Sequence, residues 1–305
     1  MTELTLADRQ LAPFAFADGD LAQAQRLAKL RIAITYAWRH RRAVDFAAPA
    51  RFTDWIQWRK LNQRDSRMPP LIDKLLVKDH VVRVLGDDWV TPTLFEGTYL
   101  PQAPLGQRRY VIKSRHGCRQ HLFVRDVAPD WAAVRRETSR WMRSHYGFWL
   151  DEWAYGHVPR GILIEPFIGP DGICPTDYKI HVFGGKAVCV QVHQDREANR
   201  HICAYYDLDW NRFWSTPGWR DCSAPKSLPG MIAAAEELGR EFDFVRADFY
   251  DISGQPRFGE LTFYPASGLR PLGDALDFWL GDLWSAARAR QTVGEMENDR
   301  SLAHA

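Results

Sequence analysis

Asp248, Glu260 and Arg246 fall within one short stretch, Phe244 to Gly268, FVRADFYDISGQPRFGELTFYPASG. Val245, Ala247 and Phe249 alternate with Arg246, Asp248 and Tyr250, and further on Gly259, Leu261 and Phe263 alternate with Phe258, Glu260 and Thr262. Such alternation marks a strand with two unlike faces, and Ser253-Gly254-Gln255-Pro256 supplies turn chemistry between the runs. Folding about Gly254 sets Asp248 opposite Glu260 and Arg246 opposite Thr262. Opposed Cβ atoms in an antiparallel pair lie about 4.5–5.5 Å apart. Two carboxylates so close share a proton, take a cation partner or hold a metal. Hard divalent ions such as Mg²⁺ are held by one or two carboxylates together with substrate phosphates. The plain alternative is two solvated acids on a surface hairpin, and a bulge would slip the register and separate them.

Other residues with chemical potential sit at the ends or in the middle of strands. RYVIK, Arg109 to Lys113, reads as a short strand delivering a lysine at its end, followed by the loop Ser-Arg-His-Gly-Cys. GILIEPFI, Gly161 to Ile168, is an apolar strand with one acid, Glu165, and an acid in such a strand needs a partner or a role. DYKIHVFGGKAVCVQV predicts a hairpin, Asp177–Phe183 with Lys186–Val192 about Gly184-Gly185. Its GGK lacks the spacing of a phosphate-binding P-loop, and Ala187 stands where that loop has Ser or Thr.

Helical periodicity supplies the remaining frame. Leu21 to about Arg42 reads as a helix with Leu27, Leu30, Ile34 and Trp38 on one stripe and Arg26, Lys29 and Arg31 off it. A basic amphipathic helix of this kind lies on a membrane surface, meets an acidic partner, or docks with its charges in solvent. Leu71, Leu75, Val77 and Val81–Val82 predict a helical face ended by Gly86, with Asp73, Lys74, Lys78 and Asp79 as exposed charges between them. Asp130 is the expected N-cap of a helix through Tyr146, and Leu228 to Phe242 predicts another with Pro229 in its first turn. Tyr206 to Pro225 is Trp- and Pro-rich and reads as irregular, and the amphipathic pattern after Pro271 reaches about Ala287 before a polar, frayed end.

Composition narrows the classes. Lys and Arg total 40 against 38 for Asp and Glu, a balance that gives no electrostatic footprint for nucleic acid. No run is long and apolar enough for a membrane span. The N-terminal MTELTLADRQ lacks a signal-peptide pattern. Cys118, Cys174, Cys189, Cys203 and Cys222 have neither zinc nor disulfide-framework spacing, so reduced thiols in a cytoplasmic protein are expected. Thirteen Trp residues point to aromatic packing before ligand stacking.

The sequence D-F-Y…G-E-L-T-F-Y-P-A-S-G resembles the metal-site hairpin of ATP-grasp enzymes, in the variant of the TupA-like ATP-grasp family, which is associated with bacterial cell-surface polysaccharides and polypeptides. The likeness continues in DYK and in the W-x-K segment before an Asp-Lys-x-x-V helix, and spans about residues 50–285. It implies an α+β, ATP-grasp fold: antiparallel sheets from two subdomains clasping the nucleotide, with a helical N-terminal region. The implied divisions are 1–70, 71–285 (a divergent leading segment to 105, a lid-like subdomain 106–165, a C-terminal subdomain 166–285) and a tail from 286.

The same resemblance implies roles. Asp248, Glu260 and, in place of the usual Asn, Thr262 would approach Mg²⁺. Lys113, Glu165, Asp177, Lys179 and Arg196 would bind ATP, with Lys74 or Lys78 near the cleft. Arg246 and Arg196 would neutralise the transferring phosphoryl group, although Arg196 could equally pair with Asp195 or Glu197. The implied chemistry is carboxylate activation by ATP and attack by an amine on a small-molecule or glycan-linked acceptor. Phosphoryl transfer to a sugar hydroxyl and nucleotide binding without turnover are the two alternatives.

Overall fold

The computed structural model describes residues 18–106, 109–127, 129–194 and 202–302. Two antiparallel sheets carry the architecture. The smaller has the order β1-β4-β2-β3, built from β1 (Phe95–Gly97), β2 (Tyr110–Ser114), β3 (His121–Val124) and β4 (Ile162–Pro166). The larger has the order β10-β9-β5-β6-β7-β8, from β5 (Asp177–Phe183), β6 (Lys186–Gln194), β7 (Ile202–Tyr206), β8 (Arg212–Ser215), β9 (Phe244–Ile252) and β10 (Gln255–Thr262). The helices are α1 (Asp18–His40), α2 (Phe52–Asn62), α3 (Met68–Ile72), α4 (Leu76–Leu85), α5 (Trp131–Arg143), α6 (Leu228–Gly239) and α7 (Asp274–Leu302).

Each sheet has its own core. Tyr110, Ile112, Ile162 and Ile164 of the smaller sheet pack with Val134 and Trp141 of α5, which Asp130 caps by accepting from the Ala133 amide at 3.1 Å. In the larger sheet Tyr178, Ile180, Val182, Val245, Ala247 and Phe249 form one apolar face, the period-two consequence of their spacing. Helix α6 covers it closely: a Cβ on Gly239 would fall 2.6 Å from Val182. The opposite face carries Asp177, Lys179, His181, Arg246 and Asp248.

At the Phe183/Phe244 end, that second face is closed by α2 and α7 through Phe52 and Trp284, whose rings lie 5.0 and 4.5 Å from Phe244. There Asp243, fully buried, joins both helices to the start of β9. It accepts from Arg59, from Trp284 Nε1 at 3.1 Å and from Arg288 at 3.2 Å. The other end is polar, with Asp177, Lys179 and Asp248 buried on it.

Several expectations change in the structure. The stretch from Leu71 to Val82 is two helices, broken at Asp73-Lys74-Leu75, because Asp73 turns inward. Its side chain is fully buried against Arg115 (Nε–Oδ1 3.0 Å) and accepts from the Leu75 amide at 2.9 Å. Asp73, Lys74 and Lys78 are therefore not surface charges. Tyr206–Pro225 contains β8 and is ordered by Trp210 stacked on Tyr206 (4.4 Å, 17°). Helix α7 continues to Leu302 rather than ending near Ala287. The docking face of α1 is Ile32 and Tyr36, while Leu27, Leu30, Ile34 and Trp38 are exposed.

Candidate functional site

The site begins at the β9–β10 hairpin. Its turn is the two-residue Ser253-Gly254, both at positive φ (56° and 85°), so the strands first pair as Gln255 with Ile252 and Phe258 with Phe249. That register alone would put Gly259, not Glu260, opposite Asp248. A bulge between Phe258 and Glu260 adds one residue, after which Glu260 faces Asp248 and Thr262 faces Arg246. The bulge thus creates the expected pairing rather than destroying it. It also lets Phe258 join the core, where it meets Phe249 edge-on at 6.0 Å, instead of sharing a face with Glu260.

Asp248 is the centre of the polar face. Arg246, two residues earlier on the same strand, grips it with both arms of its fork, Nε to Oδ1 and Nη2 to Oδ2, each at 2.7 Å. Lys179, directly across on β5, donates to Asp248 Oδ2 and lies 2.6 Å from Asp177. Arg246 also reaches Thr262 Oγ1 at 3.2 Å, and that hydroxyl lies 3.3 Å from Glu260 Oε1.

Burial pushes the Asp248 carboxyl above its usual range, with Asp177 adding to the effect, while Arg246 and Lys179 oppose it. Burial also disfavours charge on Lys179, but Asp177 and Asp248 outweigh it and hold the ammonium above its ordinary value. For Glu260, burial is overcome by Lys74, Lys179 and Arg246, which hold its carboxyl below the usual range. Glu260 is therefore a carboxylate at neutral pH. It is only partly buried, and its Oε2 makes no hydrogen bond among the described residues.

The smaller sheet presents a second cluster. Glu165, nearly buried in β4, is paired with Lys113 of β2 at 2.5 Å and with Lys78 of α4. Burial opposes its ionisation, but Lys113 and Lys78 hold its carboxyl low. Lys78 also donates to Thr91 O and Thr93 Oγ1, each at 2.8 Å. Burial lowers Lys113, yet Glu165 and Tyr250, then Glu260, raise it more. Tyr250 and Glu260 belong to the larger sheet, so the two polar clusters lie near one another. Lys74 joins the lobes, donating to Gly117 O at 2.6 Å in the loop after β2 while its charge acts on Glu260.

Sequence reasoning leaves Lys74 and Lys78 unresolved, and the structure gives both a place. The signal for Lys78 is Glu165 itself, since a lone acid in an apolar strand must find cations elsewhere. His181 was not anticipated; burial beside Arg246 and Lys179 lowers it to about 3, so it stays neutral. Arg196 lies outside the described residues. Cys118, beside the basic loop, has its thiol 3.0 Å from the Tyr155 hydroxyl, and burial raises its pKa, an inert setting.

Glu260, Asp248 and Thr262 offer only oxygens, the donors a hard divalent cation takes; Glu260 Oε2 takes no hydrogen bond among the described residues, whereas both oxygens of Asp248 are held by Arg246 and Lys179. Among the described residues no group of three or more His, Cys, Asp and Glu side chains could hold a metal ion. Such an ion would need oxygens from a bound molecule as well.

Comparison with curated proteins finds no relative of the chain. Among solved structures, it is similar to the D-alanine–D-alanine ligase from Bacillus anthracis, at 14% identity over 74% of this chain and 69% of that one, with a TM-score of 0.41. It is also similar to the ATP-grasp ligase PsnB, solved with a phosphomimetic variant of its minimal precursor, Mg and ADP (12% identity, 91% and 76% covered, TM-score 0.41). A third is the L-amino acid ligase from Bacillus licheniformis (13% identity, 63% and 41% covered, TM-score 0.37). A family model described as TupA-like ATPgrasp matches residues 54–285, a span that takes in both sheets and both polar clusters. With this match and its two antiparallel sheets, the chain belongs to the TupA-like ATP-grasp family and has the ATP-grasp fold.

Proposed function

We propose that this protein binds Mg·ATP between its two sheets and uses it to join a carboxylate to an amine on a small-molecule or glycan-linked acceptor in cell-surface polysaccharide assembly. The observation that carries the reading is the nearness of two mixed-charge clusters, Lys113–Glu165–Lys78 from the smaller sheet and Lys179–Asp248–Arg246 with Glu260 from the larger, close enough for Glu260 to act on Lys113. Lysines suit phosphate as compact mobile cations, and a carboxylate can orient them without cancelling their reach.

Asp248, Glu260 and Thr262 would hold Mg²⁺, which supplies charge neutralisation at the phosphates. Lys113 and Lys179, with Asp177 and Glu165 orienting them, would bind the nucleotide. Arg246 would face the charge that grows on the transferring group, a mainly electrostatic task. Arg196 is proposed for the same phosphates. In the reaction the acceptor carboxylate oxygen attacks the γ-phosphorus and ADP leaves. The amine then attacks the acyl carbon, phosphate leaves, and the amine loses a proton to solvent or a base.

The test is incubation of the protein with Mg·ATP and mixtures of carboxylate and amine acceptors. ADP with stoichiometric phosphate and a hydroxylamine-trappable acyl group support the ligase. A stable phosphoester on a sugar overturns it in favour of a phosphotransferase. A second reading, nucleotide binding without turnover, draws on one feature: both oxygens of Asp248 are already engaged by Arg246. ATP binding with no product under any acceptor would favour it.

A further inference from the structure

Helix α1 turns an apolar stripe to solvent. Its inward residues are Ile32 and Tyr36, 3% and 0% exposed, with the Tyr36 hydroxyl held by Asp54 at 2.5 Å and Thr53 at 3.0 Å. This anchoring fixes the helix rotation. Leu27, Leu30, Ile34 and Trp38, at helical spacing, are then 54–63% exposed. Phe148 and Trp149, 56% and 70% exposed, extend the same region, since Arg31 of α1 pairs with Asp151 (Nε–Oδ2 2.8 Å) and lies over the Phe148 ring at 5.6 Å. Contiguous exposed apolar surface of this kind marks an interaction site.

The charge beside the stripe has one sign. From Leu21 to Val44 the sequence holds no Asp or Glu, but has Arg26, Lys29, Arg31, Arg39, Arg41 and Arg42. Arg31 and Arg42 are used internally, by Asp151 and by Asp54 with Asp277. Arg26, Arg39 and Arg41 are exposed and have no carboxylate partner among the described residues, while Lys29 turns to the inward side, over the Phe46 ring at 5.3 Å. A second copy laid along the stripe would set cations against cations. An anionic bilayer offers both an apolar layer and negative headgroups, which is what an interfacial amphipathic helix requires.

We propose that α1 seats this protein on an anionic lipid surface. Leu27, Leu30, Ile34 and Trp38 enter the boundary between headgroups and acyl chains, and Arg26, Arg39 and Arg41 meet the headgroups. The helix lies in the interface and does not cross it; no helix among the described residues is long and apolar enough to span a membrane. The seating has a structural route to the cleft. At the end of α1, His40 Nε2 lies 2.9 Å from Gly268 O and Arg39 donates to Leu269 O at 3.2 Å, in the segment that leaves β10 just after Glu260 and Thr262. This proposal does not depend on the ligase reading.

The experiment is co-sedimentation of the full chain with phosphatidylcholine vesicles and with phosphatidylcholine–phosphatidylglycerol vesicles, at low and high salt. Ile34→Glu and the double variant Arg26→Gln/Arg41→Gln are run alongside, with thermal melts to show that these exposed changes leave the fold intact. Sedimentation equilibrium reports the oligomeric state. The expected result is binding to the phosphatidylglycerol vesicles, weakened by salt, and lowered on the order of tenfold by either variant. Wild type that stays in the supernatant, or binding unchanged by Ile34→Glu, overturns the proposal. So does a dimer that Ile34→Glu dissociates without any vesicle binding, which would make the stripe a contact between copies.

Discussion

Arg246 and Asp248, two residues apart on β9, are joined by a pair of 2.7 Å hydrogen bonds, and Lys179 closes the other side of the same carboxylate. The arrangement keeps a buried acid ionised only through its cations, so the three residues act as one unit. Asp248→Asn leaves Lys179 with Asp177 alone and Arg246 with only the 3.9 Å contact to Glu260, so the buried Arg246 loses its close counter-charge. A loss of about 3–5 kcal/mol is expected in urea denaturation, as for breaking a buried ion pair. Arg246→Lys should not restore the wild-type value, because an ammonium cannot reproduce the fork.

The bulge at Gly259 sets the register of the site. A Cβ there would fall 3.0 Å from Asp248 O and 3.3 Å from the Tyr250 ring. Gly259→Ala should cost about 1–3 kcal/mol, the range for overpacking, and disturb the Glu260–Asp248 opposition. Denaturation gives the first effect, and loss of any Mg²⁺ enhancement of ATP binding reports the second.

In the proposed reading Lys113 binds the nucleotide, and Lys78 still pairs Glu165 when Lys113 is removed. Lys113→Met should weaken ATP binding on the order of tenfold or more, as expected for loss of a charge-assisted contact. Its melting temperature should change little. Unchanged affinity would remove this lysine from the site.

The pH dependence of stability has a local source behind the hairpin. Burial, only partly offset by Lys60 and Ser267, raises the Glu152 carboxyl to about 7 from an ordinary 4.5. Burial lowers Lys60 to about 8 from 10.5. Between pH 4.5 and 7 the folded chain holds a proton that the unfolded chain has released, so Glu152 makes stability fall as pH rises through that window. Between 8 and 10.5 the unfolded chain holds the extra proton, so Lys60 makes stability rise. Urea midpoints from pH 5 to 7 should fall more steeply for wild type than for Glu152→Gln. Equal slopes would assign the dependence elsewhere.

Much of this arrangement is legible in the sequence, though not always for the reason first given. Alternation in FVRADFY and GELTF marks the two-faced strands, and Gly184-Gly185 marks a hairpin whose turn has both residues at positive φ, 57° and 77°. The opposition of Asp248 and Glu260 follows from folding about Gly254, but the chain reaches it through a tighter turn plus a bulge. Pattern alone cannot separate those two routes, since each adds one residue. Asp73 was hidden because local spacing says nothing of Arg115, which meets it from 42 residues away. Strands β1, β3 and β8, at three or four residues, are too short for periodicity to register. The outward rotation of the α1 stripe was hidden too, because it is set by Tyr36 reaching Asp54 and Thr53, a tertiary choice.

The central claim is that the β9–β10 hairpin forms a metal-assisted ATP site, and calorimetry of ATP binding with and without Mg²⁺, on wild type and Glu260→Gln, tests it most directly. The account predicts that wild type binds ATP, that Mg²⁺ tightens the binding, and that Glu260→Gln keeps metal-free binding but loses the enhancement. Absence of ATP binding to either protein in any metal, or a Mg²⁺ enhancement that survives Glu260→Gln, would contradict it.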